Sequence, residues 1–276
     1  MALVETETAL PTCYRHPDRE TRLSCSSCGR PTCVHCVRTA AVGQKCLECA
    51  APQGQSRVIH ARSARSTTGA PVTTTVLVLC VLAFLAAFLG FGPQLQALGA
   101  QNNALVAQGQ WYRLLSSAFL HAGLAHIFFN MWALYVFGPP LERRVGSLAF
   151  AALYLSAAVA GGAAYFVLGS FQIPAVGASG AIFGLFGAWL AHAFLNRRTP
   201  LGRASLNQLL FLLAINAALP LVFPGIAWQA HLGGLGVGFA IGLAWGTVGE
   251  GRARSLARAL VAATIGTLVI GGLLLL

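Results

Sequence analysis

The sequence predicts an all-α polytopic membrane protein preceded by a small metal-binding domain. Three observations carry this reading. Hydrophobic residues make up 56% of the chain and charged residues only 9%, against about 25% charged in an average soluble domain. The charge is also unevenly spread. Residues 1–66 hold 14 of the 25 charged positions, and the other 11 sit in short clusters between long apolar runs. Finally, seven cysteines and a histidine crowd into close pairs between positions 13 and 49. The implied organisation is a metal-binding domain at 1–50, a linker at 51–71 and a membrane domain at 72–276.

The pairs in the N-terminal domain are Cys13 and His16, Cys25 and Cys28, Cys33 and Cys36, and Cys46 and Cys49. One C-x2-H and three C-x2-C supply eight soft ligands, enough for two tetrahedral zinc ions. A stretch of this length cannot build a self-sufficient hydrophobic core, so metal would supply the folding energy. The competing disulfide framework needs an oxidising compartment, and the topology below puts this domain in the cytoplasm. The order of the pairs resembles the B-box type of zinc finger. That resemblance implies interleaving, with Cys13, His16, Cys33 and Cys36 on one ion and Cys25, Cys28, Cys46 and Cys49 on the other. Here Cys46 and Cys49 stand where that family usually has a histidine pair. Both sites would be closed and therefore structural. His35, inside a C-x2-C pair, reads as a surface residue, and Cys80, inside an apolar run, as plain packing.

The linker "APQGQSRVIHARSARSTTGAP" is rich in Pro, Gly, Ser and Arg and has no apolar period. Its arginines would lie near anionic lipid headgroups.

Seven apolar segments follow, at roughly 72–92, 116–138, 147–168, 177–195, 206–223, 227–247 and 257–276, each near the ~20 residues that span hydrocarbon. The first cannot be a cleaved signal peptide, because 70 polar residues precede it. Arginines alternate between loops. Arg57, Arg62 and Arg65 precede the first segment, and Arg143 and Arg144 follow the second. Arg197, Arg198 and Arg203 follow the fourth, and Arg252, Arg254 and Arg258 the sixth; the alternate loops hold only Arg113. Positive loops stay inside, so the N-terminus is expected in the cytoplasm and the C-terminus outside the plasma membrane. The net charge of +11 thus reports topology, and no nucleic-acid partner is expected.

Polar residues inside membrane segments are costly and mark function. The membrane half has two acids, Glu142 and Glu250, both read as loop residues. That leaves no carboxylate for an aspartyl mechanism, a proton relay or a Ser-His-Asp triad, and no H-E-x-x-H occurs. A proton-coupled transporter is disfavoured for the same reason. Among the histidines, depth decides. Ser179 starts the fourth segment, and His192, 13 residues on, lies about 20 Å away at 1.5 Å per residue. His231 lies about one turn into the sixth segment, which runs in the same direction. His126 and Asn130, four apart, share a face of the second. His121 is expected a turn further out, nearer water. Gly177, Gly180, Gly184 and Gly187 on the fourth segment, and Gly234, Gly238 and Gly242 on the sixth, would let these two helices approach closely.

The stretch "GQWYRLLSSAFLHAGLAHIFFNMW" has a W-R element, split here by Tyr112, and an H-x4-H-x3-N pattern. With "GASGAIFG" and "AHLGGLGVG" it resembles the rhomboid intramembrane serine proteases, over about residues 72–276. The resemblance implies a rhomboid-like six-helix core plus one C-terminal transmembrane helix. It implies Ser179 and His231 as a catalytic dyad, His126 and Asn130 as oxyanion donors, and Gly177, Gly180, Gly234 and Gly238 as structural residues of the active-site region. It further implies an endopeptidase that cuts transmembrane or membrane-anchored proteins near the outer face, with no cofactor for catalysis and with substrates reaching the site beside the fifth helix. Small or helix-breaking residues would help the cut segment to unwind. Asn216 on that helix reads as a helix–helix hydrogen-bonding residue, and Trp111 and Arg113 as interface anchor and loop brace. The alternative is a catalytically inactive rhomboid-like protein that binds membrane clients, a class that typically lacks the serine or the histidine. Partners are thus transmembrane substrates and the lipid bilayer, with a possible protein partner for the zinc domain; the sequence does not address oligomeric state.

Overall fold

A computed structural model describes residues 10–40, 43–50, 69–223, 225–248 and 254–275. The chain divides into two compact units, Met1–His60 and Ala61–Leu276. Most of the linker, with Arg57, Arg62 and Arg65, lies outside the described residues, as do Glu250 and Arg252.

In the first unit, β1 (Thr12–Cys13) pairs antiparallel with β2 (His16–Glu20). β3 (Val37–Thr39) pairs antiparallel with β4 (Gln44–Cys46), and a single turn, α1 (Leu47–Ala50), follows. Its apolar cluster is Cys13, Cys33 and Cys36 with Tyr14 and Leu47 packed against them. The candidate metal ligands are therefore most of the core, as a unit too short to bury much else requires.

The second unit is an all-helical polytopic membrane bundle. α2 (Pro71–Ala86) passes through a π-turn at Ala87–Phe91 into α3 (Gly92–Gly99). Two short helices, α4 (Asn103–Ala107) and α5 (Arg113–Ser116), lead through a 3₁₀ turn at Ser117–Phe119 to α6 (Leu124–Val145). Then come α7 (Ser147–Leu168), α8 (Ser179–Leu195), α9 (Pro200–Val222), α10 (Trp228–Val248) and α11 (Ser255–Leu274). Among the described residues, five spans are long and apolar enough to cross a membrane alone: Pro71–Gly99 and the helices α7, α9, α10 and α11. α6 passes only together with Arg113–Phe119, across a 95° bend, and α8 is apolar but has 17 residues.

α7, α8 and α10 form the centre of the bundle. Glycine makes that contact possible: a Cβ at Gly234 would collide with Gly180 O, and one at Gly238 with Gly184 O. Close backbone approach of this kind is how helices gain packing energy in lipid, where no hydrophobic force drives them together. α11 joins the core along α7, where Ser156 Oγ donates to Ala262 O at 3.0 Å.

Several boundaries differ from expectation. α9 starts at Pro200 rather than 206 and α11 at Ser255 rather than 257, so Arg203 and Arg258, read as loop residues, are helical, with Arg258 3% exposed. The second segment begins as helix at Leu124 rather than 116, because residues 117–123 form a 3₁₀ turn and an irregular stretch. It also runs on through Pro139 and Pro140 to Val145. Prolines are tolerated in membrane helices; the carbonyls they leave free here are those of Tyr135 and Val136, and Trp189 Nε1 donates to the adjacent Phe137 O at 3.2 Å. Glu142 is consequently a helix residue, 1% exposed, and not a loop acid. Its carboxylate accepts from the backbone amides of Val72 (3.0 Å) and Thr73 (2.8 Å) and from Thr73 Oγ1 (2.7 Å). It thus caps the N-terminus of α2, where orphan N–H groups and the helix dipole both favour an anion.

Candidate functional site

Ser179 is the first residue of α8, and its backbone N–H belongs to the set that has no intrahelical acceptor. Its Oγ lies 2.9 Å from His231 Nε2, across 52 residues of sequence. The contact exists because α7, α8 and α10 meet just there. A Cβ at Gly161 would lie 2.9 Å from Ala230 O and 3.3 Å from Gly180 Cα. A side chain at Gly161 would press on both the helix that carries the serine and the helix that carries the histidine.

His231 is held by stacking. The Phe183 ring, one turn below Ser179, lies 4.2 Å from the His231 ring at an interplanar angle of 7°. Sequence reasoning missed Phe183; an aromatic four residues after the serine, on the same helical face, was the available signal. Glu142 lies at the far end of α6 from His126, about 24 Å away by helical rise, so this buried carboxylate orients neither histidine.

His126, in the first turn of α6, approaches the serine loop. The Ala122 amide N–H points at His126 Nδ1 (3.5 Å), an arrangement that suits the tautomer with its proton on Nε2. A Cβ at Gly177 would lie 2.7 Å from that Nε2, and Gly177 has φ +132°. Both the space and the backbone conformation there require glycine. Asn130, 7% exposed, donates from Nδ2 to His126 O at 2.9 Å, which uses one of its two amide hydrogens. His121 is not nearer water as expected. It sits in the turn before α6, 7% exposed, edge-on to the His126 ring with centroids 5.2 Å apart.

Arg113, 4% exposed, braces the first loop by donating to Ala100 O, Ala97 O and Gln110 Oε1, each at 2.7 Å. Asn216 donates to Leu212 O of its own helix at 2.8 Å, not across helices as expected, which satisfies its amide locally. His192, in the last turn of α8, contacts Asn196 Nδ2 at 3.2 Å. Beside Ser179 lies a cavity of about 30 Å³, lined among others by Gln101, Ser117, Gly177 and Ala230. Room for a water begins at about 10–15 Å³ of such volume, so the cavity suits water or a small side chain.

In the first unit, Cys13, His16, Cys33 and Cys36 converge with ligand atoms within 4.8 Å of one another, and so do Cys25, Cys28, Cys46 and Cys49. His16 Nδ1 lies 3.8, 3.5 and 3.3 Å from the sulfurs of Cys13, Cys33 and Cys36, and the Cys28 and Cys46 sulfurs are 3.8 Å apart. Zn–S bonds near 2.3 Å and Zn–N bonds near 2.0 Å give tetrahedral edges of about 3.5–3.8 Å, so the donor sets fit that ion. None of these cysteines forms a disulfide. A hydrogen bond from the Cys46 backbone amide leads in lowering the Cys25 thiol to about 6, while hydrogen bonding with the Cys46 and Cys28 thiols holds Cys49 up at about 12. Four neighbouring thiols resist joint ionisation unless a cation sits among them. His35 is exposed and outside both clusters, and Cys80 is fully buried with its Sγ toward Ala118 O.

The Rhomboid domain family model matches residues 108–247. The chain is 41% identical over 152 residues to rhomboid protease GluP of Bacillus subtilis, covering 55% of this chain and 29% of that protein. It is 37% identical over 139 residues to the putative rhomboid protease YdcA of the same organism, covering 50% of this chain and 69% of that protein. Against rhomboid-like protease 1 of Toxoplasma gondii it is 38% identical over 151 residues, 52% of this chain and 50% of that protein. The alignments therefore span well under two thirds of two of these three relatives.

Proposed function

The chain belongs to the rhomboid family, and from that premise we propose that it is an active serine endopeptidase of membrane-anchored proteins, with Ser179 and His231 as the dyad. The single observation that carries this reading is the 2.9 Å approach of Ser179 Oγ to His231 Nε2 at the start of a helix. His231 accepts the Ser179 proton as the oxygen attacks a peptide carbonyl, forming an acyl-enzyme that water then releases. Among the described residues no carboxylate orients the base; Phe183 stacking takes that part. The oxyanion is met by the Ser179 backbone N–H, favoured by the helix dipole, by His126 Nε2–H and by the remaining amide hydrogen of Asn130. Each such donor is worth about 3 kcal/mol in the transition state. The small cavity beside Ser179 favours a small side chain at the cut, and an extended backbone there requires the substrate helix to unwind.

In this reading the N-terminus is cytoplasmic, the C-terminus is outside and the cut is made near the outer face of the plasma membrane. Residues 1–50 form a structural domain with two zinc ions, one on Cys13, His16, Cys33 and Cys36 and one on Cys25, Cys28, Cys46 and Cys49. It is joined by the basic linker 51–71 to the protease domain 72–276, with about seven spans. The test is cleavage of a model transmembrane substrate in proteoliposomes. Wild-type protein should release the outer fragment, and Ser179→Ala should release none. Equal cleavage by both would sink the proposal.

A further inference from the structure

The loop from 169 to 178 delivers Gly177 and Ser179 to the candidate site, and it has no regular structure apart from a bridge at Ala175. Backbone polar groups buried in such a loop need protein partners. The partners here lie some 70 residues earlier. Gln101 forms both hydrogen bonds of the bridge, its N–H donating to Ala175 O (3.0 Å) and its carbonyl accepting from Ala175 N–H (2.9 Å). Its side chain, in a residue 2% exposed, donates to Gly162 O (2.7 Å) and to Asn103 Oδ1 (3.0 Å). Asn103, 0% exposed, spends its Nδ2 hydrogens on Tyr165 O (2.9 Å) and Ser170 O (3.0 Å). Flipping either amide would set oxygen against carbonyl oxygen, so both orientations are fixed by their acceptors.

These two carboxamides tie the body of α7, at Gly162 and Tyr165, to the loop at Ser170 and Ala175. Two further bonds complete the hold: Tyr165 Oη donates to Ile173 O (2.7 Å), and Gly177 N–H to Ser117 O (2.9 Å). The loop is thus fastened at positions 170, 173, 175 and 177. Beyond the last fastening lie the Gly177 backbone against His126 Nε2 and the first N–H of α8. The register of the loop therefore sets the distance between the serine and the groups around it.

We propose that Gln101 and Asn103 are positioning residues for the Ser179 reaction: a buried carboxamide pair that touches no reacting atom and fixes the loop that shapes the oxyanion site. The proposal rests on the reading of Ser179 as nucleophile. Displacing a catalytic group by about 1 Å can cost on the order of a hundredfold in rate, while the substrate's docking surface on the helices is unchanged.

The test uses the full chain, in detergent and in proteoliposomes, as wild type, Ser179→Ala, Asn103→Ala, Asn103→Ser and Gln101→Met, the last retaining length without donors. Fluorophosphonate labelling rate, kcat and KM on a transmembrane substrate are measured on protein that elutes as a single folded species. Folded Asn103 and Gln101 variants should lose about tenfold or more in kcat and in labelling rate together, with KM changed less than about twofold, and Asn103→Ser should recover part of the loss. Unchanged kcat and labelling rate in folded variants would overturn the proposal, as would failure of all three to fold, which would make the pair a scaffold only. An unlabelled wild type would instead sink the protease reading itself, so the two failures are distinguishable.

Discussion

At the scale of the residue, the roles proposed around Ser179 separate by how each would fail. Removing His126 Nε2–H takes away a charge-stabilising donor and leaves the dyad in place. His126→Ala should therefore lower kcat about 10²–10³-fold while Ser179 stays aligned with His231; substrate kinetics on reconstituted protein check this, and a loss under threefold would contradict it. Phe183 acts by orienting the base. Phe183→Ala frees the imidazole and should lower kcat with little change in KM, whereas Phe183→Tyr, which keeps the ring, should retain activity. The meeting of Ser179 and His231 was legible in the sequence, since counting turns from each helix start put Ser179, His126, Asn130 and His231 at one depth; their proposed roles came from the family resemblance. Phe183 was hidden because an aromatic in an apolar helix looks like any lipid-facing side chain until its partner is known. Asn103 and Gln101 were hidden because their acceptors are backbone carbonyls that no sequence pattern marks.

At the scale of the element, the bundle depends on how near α8 comes to α10. A valine at Gly238 would push into the Gly184 backbone, and overpacking of this kind costs about 1–3 kcal/mol. Gly238→Val should lower the thermal midpoint and abolish cleavage, because it separates Ser179 from His231; a fully active, stable variant would contradict the packing argument. The glycine spacing announced this contact in advance. The N-terminal end of α2 was less legible. The second apolar segment reads as ending at 138 with Glu142 in a loop, yet the helix continues to Val145 and carries the carboxylate to the amides of Val72 and Thr73. Thr73→Val removes one donor to a buried carboxylate and should cost about 1–3 kcal/mol, read as a fall in thermal midpoint with kcat per folded molecule unchanged.

At the scale of the whole molecule, two units with different sources of stability share one chain. The helical unit is held by close packing, while the N-terminal unit has little core besides the thiols and the imidazole of its two clusters. Chelation should therefore unfold residues 10–50 and leave the helical unit folded. Acidification should do the same, since protons compete with metal for thiolate and imidazole. Metal analysis should give about two zinc per chain, and a chelator-resistant, zinc-free folded domain would overturn the assignment. The cysteine spacing made this unit legible, because ligand pairs are local in sequence; its short strands were not, since metal geometry and not apolar alternation shapes them. The central claim, that Ser179 is a nucleophile activated by His231, is tested most directly by labelling the intact protein with a fluorophosphonate probe. Wild type should label at Ser179, and both Ser179→Ala and His231→Ala should not. A folded wild type that fails to label, or equal labelling in either variant, would contradict the account.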